Sequence, residues 1–310
     1  MLNICELIKT NYPLIQGGMA NIADHRLASS VSNAGALGMI AAGGEEPERV
    51  REEIRLCREL TDASFGVNIM LMSPHTPDIA RLVVEEKISV ITTGAGNPGR
   101  YIAAWKEAGI TVIPVIPSVA FALRVERAGA DAVIVEGTEA GGHIGEQTTL
   151  ALVPQVVDAV SIPVIAAGGV ADYRQVLAVF VLGAKGIQAG TVFLTAEECP
   201  VHDNYKQFVI KAKDTDTTVT GRQTGAPVRV LKNKMARRYN KLAAGGAPLE
   251  ELEKMTLGSL KRAVLEGDLD TGSFMAGQVA GMVRSVRPVQ EIIKSLFDPV
   301  EEYRRNLRIL

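Results

Sequence analysis

The sequence predicts an α/β fold: a closed (β/α)8 TIM barrel with a mainly helical lid inserted after its eighth strand. Eight short runs rich in Val and Ile recur along the first two-thirds of the chain, PLIQ at 13, LGMIAA at 37, FGVNIML at 65, ISVITTG at 88, TVIPVIP at 111, DAVIVEG at 131, PVIAAGG at 163 and KGIQAGT at 185. Their spacing of about 25 residues is the length of a strand, a helix and two short loops. Successive units share a join, NAGALG, EAGI, RAGADA and VLGAKG, in which Gly35, Gly109, Gly129 and Gly183 are placed to end a helix in the left-handed conformation just before the next strand. Gly-rich loops follow nearly every strand, as they do where ligand loops ring one face of a barrel rather than meet at a single switch point of an open sheet.

Composition is consistent with that fold and removes several function classes. The 310 residues are 47% hydrophobic and 22% charged, which excludes disorder for most of the chain. Lys plus Arg total 33 against 35 for Asp plus Glu, so no overall field exists to hold nucleic acid. Cys5, Cys57 and Cys199 match neither a zinc pair nor a redox C-x-x-C, and they point to a reducing cytoplasm. No apolar run is long enough for membrane insertion, and the N-terminus has no basic start of a signal segment.

Taken in order, the first strand runs into QGGMA, where Gly17 and Gly18 let a flat ligand approach the backbone; Met19 on its own reads as packing. In the following helix, Cys57 shares one stripe with Val50 and Ile54 and reads as a small buried hydrophobe. The third strand ends near Asn68, whose amide suits the heteroatoms of a planar heterocycle. After the fourth strand, Gly94, Gly96 and Gly99 form G-x-G-x-x-G, but the next strand ends in VIPVIPSVA without the carboxylate a dinucleotide site needs, so a tight turn before a helix is expected. The sixth strand has Glu136 at its tip and continues as EGTEAGGHIGE, with a single imidazole, His143, among glycines. A lone histidine reads as structural or catalytic, and no second His or Cys stands at zinc-ligand spacing. Gly168 and Gly169 after the seventh strand, and Gly190 and Thr191 after the eighth, lie where barrels hold a phosphate on bare N–H groups.

Beyond Thr191 the pattern changes. Residues 197–270 read as an inserted substrate-binding lid, with the barrel formed by 1–196 and 271–310. The lid carries Arg222, Arg229, Lys232, Lys234, Arg237, Arg238 and Lys241 in a stretch without an acid, read as a solvated face or as a dock for an acidic partner. The chain returns through TGSFMAGQVAG and ends on an amphipathic VQEIIKSLF expected to cover the barrel.

The motifs QGGMA, GVNIM, TTGAGNP, EGTEAGGHIG, PVIAAGG, AGT and SFMAGQVAG, in this order over nearly the whole chain, resemble the FMN-dependent enoyl-acyl carrier protein reductase II (FabK-type) family, a relative of nitronate monooxygenase. The resemblance implies an FMN-bound barrel that reduces trans-2-enoyl thioesters on acyl carrier protein in bacterial fatty acid elongation, with NADH or NADPH as electron donor. It places Gly18, Met19, Ala20 and Asn68 along the isoalloxazine, and Gly168, Gly169, Gly190 and Thr191 on the FMN phosphate. It puts Glu136, Gly142, Gln188, Met275, Ala276, Gly277 and Gln278 at the cofactor and His143 beside the flavin as the catalytic group. A monovalent cation is associated with the lid in that family; the loop Asp214 to Thr218 is the candidate here, with its ligands open. Nitronate monooxygenase shares the histidine and flavin loops, so the lid matches DTTV, APVR and LKN and the basic run favour the reductase. Nucleic acid is not expected as a partner; a homodimer is the default assembly.

Overall fold

A computed structural model describes residues 3–307; the outermost ends of the expected barrel segments, residues 1–2 and 308–310, lie outside the described residues. The barrel strands are β1 (Leu14–Gln16), β2 (Gly38–Ala41), β3 (Phe65–Met70), β4 (Val90–Gly94), β5 (Thr111–Ile116), β6 (Val133–Glu136), β8 (Val164–Ala167) and β9 (Gly186–Ala189), and β7 (Gly142–His143) lies in the loop after β6. The eight barrel strands are parallel in the order β1-β9-β8-β6-β5-β4-β3-β2. An Ile15–Leu37 bridge, with N–H to carbonyl bonds Gln16 to Leu37 and Leu37 to Leu14 of 2.9 Å each, brings β2 back to β1 and nearly closes the cylinder. All eight strands fall on the Val/Ile runs.

The four glycine joins have a common geometry. Gly35, Gly109, Gly129 and Gly183 have φ of 88°, 76°, 100° and 100°. The residue after each donates its N–H five positions back, Ala36 to Val31, Ile110 to Trp105, Ala130 to Val125 and Ala184 to Val179, at 3.0–3.2 Å. This six-to-one bond is the Schellman closure, and a side chain at the left-handed position would oppose it. Helix starts are equally local: Asp24, Ser118 and Asp172 each accept backbone N–H groups at the helices His25–Asn33, Val119–Arg127 and Tyr173–Val181.

Inside the barrel, Ile15, Leu37, Met39, Val90, Ile113, Ile134 and Ile165 form one buried cluster, and Ile4 and Ile8 of the short helix Ile4–Ile8 join it. A Cβ on Gly186 would sit 3.3 Å from Ile4, so this helix closes the barrel end away from the strand C-termini. Outside, Val50, Ile54 and Cys57 are buried as one stripe, as are Ile79, Leu82 and Val83. On the helix Tyr173–Val181 the buried residues are Val176 and Val179, while Val181, its last residue, is 75% exposed. The helix Val289–Phe297 buries Val289, Ile292, Ile293 and Leu296 and packs on Tyr173–Val181, covering the barrel as its periodicity predicts.

Residues 197–270 differ from the mainly helical expectation. They contain the helices Asp203–Ile210, Lys234–Ala244 and Leu249–Thr256, but also strands β10 (Thr217–Thr220) and β11 (Val228–Leu231), an antiparallel hairpin around the GRQTGAP turn. Expected in part as the loop Asp214 to Thr218, these β-branched runs form strands, and β11 also pairs with β7, placing Val228 opposite His143 and Arg229 opposite Gly142.

Candidate active site

The strand C-termini surround a cavity of about 410 Å³, within the range of cofactor sites. Thirteen of the residues expected at the site line it: Gly18, Met19 and Ala20 after β1, Asn68 on β3, Glu136 on β6, Gly142 and His143 on β7, Gly168 and Gly169 after β8, Gln188 on β9, Gly190 and Thr191 after it, and Met275. Ala276, Gly277 and Gln278 are not in the lining. Ala276 is 1% exposed and packs against Gly141, where a Cβ would meet the Ala276 carbonyl carbon at 2.7 Å. The Gly277 N–H donates to Thr191 Oγ1 at 2.9 Å and the Gln278 N–H to the Glu139 carbonyl at 2.9 Å. This stretch braces the wall from behind, and the small residues in AGQ are required by that contact.

One flank of the cavity is built by close approach. A Cβ on Gly18 would lie 2.2 Å from the Asn68 Cβ, so the Gly18 backbone rests on the Asn68 side chain and any larger residue collides. Asn68 Nδ2 donates to Thr92 Oγ1 at 2.8 Å, which fixes the amide and turns its oxygen away from that bond.

The opposite flank is made of unpaired N–H groups. Gly168 and Gly169 have φ of 83° and 81°, and the N–H groups of Gly168, Gly169, Val170 and Gly190 bond to no described protein atom. Thr191 Oγ1 accepts the Gly277 N–H and keeps its own proton to donate. No lysine or arginine is among the described lining residues.

Three polar side chains complete the interior. Gln188 is 8% exposed, and its Oε1 is buried without a hydrogen-bond partner among the described residues. Such an atom costs free energy unless a ligand donor reaches it. Glu136, Ala167 and Gln188 stand in register on adjacent strands β6, β8 and β9, so the small Ala167 leaves a gap between two polar side chains. Glu136 makes no side-chain hydrogen bond to a described residue, and burial pushes its carboxyl up to about 8. His143 is exposed at the mouth, yet desolvation holds its pKa below the usual imidazole value, favouring the neutral ring at pH 7. FMN, the group the resemblance implies, fits this chamber: bare N–H groups for the phosphate, a glycine floor for a flat ring, and an unpartnered acceptor on Gln188 for a ring N–H.

Several contributors take structural roles that no sequence pattern assigned to them. Glu139 accepts the Thr149 N–H at 2.9 and 3.1 Å, and the Thr149 hydroxyl lies 2.8 Å from the Gly168 carbonyl. Arg229 is 6% exposed without a carboxylate partner among the described residues and donates to the Thr138 carbonyl at 3.0 Å and Thr217 Oγ1 at 3.1 Å, which ties the hairpin to the His143 loop. Tyr205 donates to the Met275 carbonyl at 2.8 Å. These pairings join residues 10 to 91 positions apart, beyond any local pattern.

The basic stretch of the lid is not one surface. Arg229 is buried, Arg222 pairs with Glu146 at 3.0 Å, Lys234 pairs with Asp270 at 2.8 Å, and Lys232 Nζ donates to the Thr215 carbonyl. Arg237, Arg238 and Lys241 are exposed on the helix Lys234–Ala244 without an ion pair among the described residues. The candidate cation loop is partly self-satisfied, since Asp216 Oδ2 accepts the Lys213 N–H and Thr215 receives the Lys232 ammonium. Away from the cavity, Asp24, His25 and Glu53 lie within 4.8 Å of one another, but Glu53 is engaged by His25 and Arg49 and Asp24 by Arg26.

Comparison with known proteins agrees with this geometry. A sequence model of the nitronate monooxygenase family matches residues 3–88 and 78–298. A probable nitronate monooxygenase of Staphylococcus aureus (strain MSSA476) is 31% identical, over 96% of this chain and 97% of that protein. FabK from Thermotoga maritima superposes with a TM-score of 0.97 at 46% identity, over 99% of this chain and 98% of that one. Nitroalkane oxidase from Streptomyces ansochromogenes superposes with a TM-score of 0.87 at 28% identity, over 99% and 100%. A barrel with its cavity at the strand C-termini, matched along almost its full length, makes this chain an oxidoreductase of the nitronate monooxygenase family.

Proposed function

We propose that the protein is an FMN-dependent enoyl-acyl carrier protein reductase, reducing trans-2-enoyl thioesters with NADH or NADPH in bacterial type II fatty acid elongation. The observation that carries this reading is the 46% identity to FabK over 99% of the chain, against 31% to the nitronate monooxygenases. Bound in the cavity, FMN supplies the two-electron redox chemistry that links nicotinamide to the enoyl double bond. The N–H groups of Gly168, Gly169, Val170 and Gly190 would hold its phosphate, and Gly18 and Asn68 would support its ring. The neutral His143 ring keeps one N–H, which at the cavity mouth steadies negative charge developing on the thioester carbonyl. Residues 197–270 act as the substrate-binding lid, and its unpaired Arg237, Arg238 and Lys241 meet the acidic carrier protein.

A second reading, oxidation of nitronates with oxygen, is favoured by the family match and the curated relatives. Anaerobic absorbance separates the two. Protein bleached in its flavin band by NADH or NADPH regains the oxidised spectrum on addition of crotonyl thioester if the reductase reading holds. Bleaching with no recovery, followed by nitronate turnover in air, transfers the assignment to the monooxygenase; absence of a flavin band in folded, FMN-supplied protein defeats both.

A further inference from the structure

We infer that Thr149 and Glu139 are positioning residues that set the orientation of the Gly168–Gly169 peptide for a flavin phosphomonoester. This rests on the FMN reading above. The cavity presents no lysine or arginine among its described lining residues, and two of its side chains, Glu136 and Glu139, are acids. An anion there is held by N–H dipoles and the Thr191 hydroxyl, without a cationic side chain among the described lining residues, so the direction in which each N–H points weighs heavily on the affinity. At the Gly168–Gly169 peptide that direction is imposed from outside the cavity. The Thr149 hydroxyl donates to the Gly168 carbonyl at 2.8 Å, a bond shared with Glu139 Oε2 at 2.9 Å. In a trans peptide the carbonyl and the following N–H point in opposite directions. Drawing the Gly168 carbonyl toward Thr149 therefore turns the Gly169 N–H the other way, toward the cavity that Gly169 lines.

Glu139 holds Thr149 in place and is kept from repelling the ligand by the same contact. Its carboxylate accepts the Thr149 N–H at 2.9 and 3.1 Å, at the first turn of the helix Thr149–Ala159. There the positive end of the helix dipole offsets its charge. The helix has no side-chain bond from its own N-cap, Thr148, so Glu139 replaces the cap from ten residues away. The loop has no slack to reorient on its own. A Cβ on Gly137 would fall 2.0 Å from Thr149 Oγ1, and one on Gly168 would fall 2.8 Å from the Gly137 carbonyl.

The test compares two ligands that differ only in the phosphate. Holoprotein is diluted and the released flavin read by fluorescence, and the same protein exchanged into riboflavin gives the phosphate-free reference. Thr149→Val removes the hydroxyl at nearly constant shape; it should weaken FMN by about tenfold while leaving riboflavin within about twofold. Thr149→Ser restores the hydroxyl and should restore FMN binding. Equal weakening of both flavins by Thr149→Val, or none, overturns the inference while the FMN reading stands. Wild-type protein that retains neither flavin overturns both.

Discussion

Replacing Gly169 tests the phosphate cradle most directly, because two penalties act at one Cα. Gly169 has φ +81°, a region that costs an L-residue about 1–2 kcal/mol. The added Cβ would also stand 3.3 Å from the Glu139 Cβ, a tight contact relieved only if the backbone carrying Glu139 gives by a few tenths of an ångström. Gly169→Ala should therefore fold and lose a factor of roughly 5–30 in FMN affinity as the loop relaxes. Gly169→Glu adds a carboxylate beside the phosphate, worth about 4 kcal/mol of repulsion for unit charges at close range and intermediate dielectric. The combined penalty is about 5–6 kcal/mol, close to ten-thousandfold, and this variant should purify colourless. The assay is the ratio of flavin absorbance to protein absorbance in the purified variants, followed by FMN titration, with the thermal midpoint as folding control. Stoichiometric FMN in Gly169→Glu would refute the cradle; a folded Gly169→Ala that binds FMN like wild type would remove the backbone argument.

Three further outcomes follow from the geometry. His143→Ala should lower kcat for enoyl reduction about a hundredfold, the scale of losing one oriented donor, with flavin content unchanged; full activity in a flavin-replete variant would take His143 out of the mechanism. Glu136, its carboxyl pushed up to about 8 from an ordinary 4.5, binds its proton more tightly folded than unfolded, so it adds stability below about pH 4.5 that is lost as pH rises to 8. In flavin-free protein, Glu136→Gln should remove up to about 4 kcal/mol of that decline in urea unfolding between pH 5 and 9, and an unchanged profile would show the carboxyl to be solvated. Reversing Arg237 and Arg238 to Glu should raise KM for carrier-bound enoyl substrate about tenfold and spare enoyl-CoA; equal effects on both would place docking elsewhere.

The barrel was legible because its determinants are short-range. A Val/Ile run of four to seven residues makes a buried parallel strand, and a glycine that alone accepts positive φ ends the preceding helix, so Gly35, Gly109, Gly129 and Gly183 mark the repeat in sequence and in space. The glycine loops of the site are local in the same sense: Gly168 and Gly169 were readable as a bare backbone, and the cavity includes them. The lid was misread where its structure depends on a distant partner. Thr217–Thr220 and Val228–Leu231 become strands in a sheet completed by Gly142 and His143, and hairpins of this length need that third strand to persist.

What the sequence determined by itself was the repeat, the face on which the loops gather and the residue types offered there, because turn conformation and hydrophobic period are properties of a few adjacent residues. Tertiary structure decided how those residues are oriented and charged. It turned Gln188 Oε1 into an unpartnered acceptor, raised the Glu136 carboxyl by burial, set Ala276, Gly277 and Gln278 behind the wall, and brought Thr149, held by Glu139, onto the Gly168 carbonyl. Desolvation and long-range hydrogen bonds depend on which chain segments exclude water from one another, and that is settled only when the barrel closes.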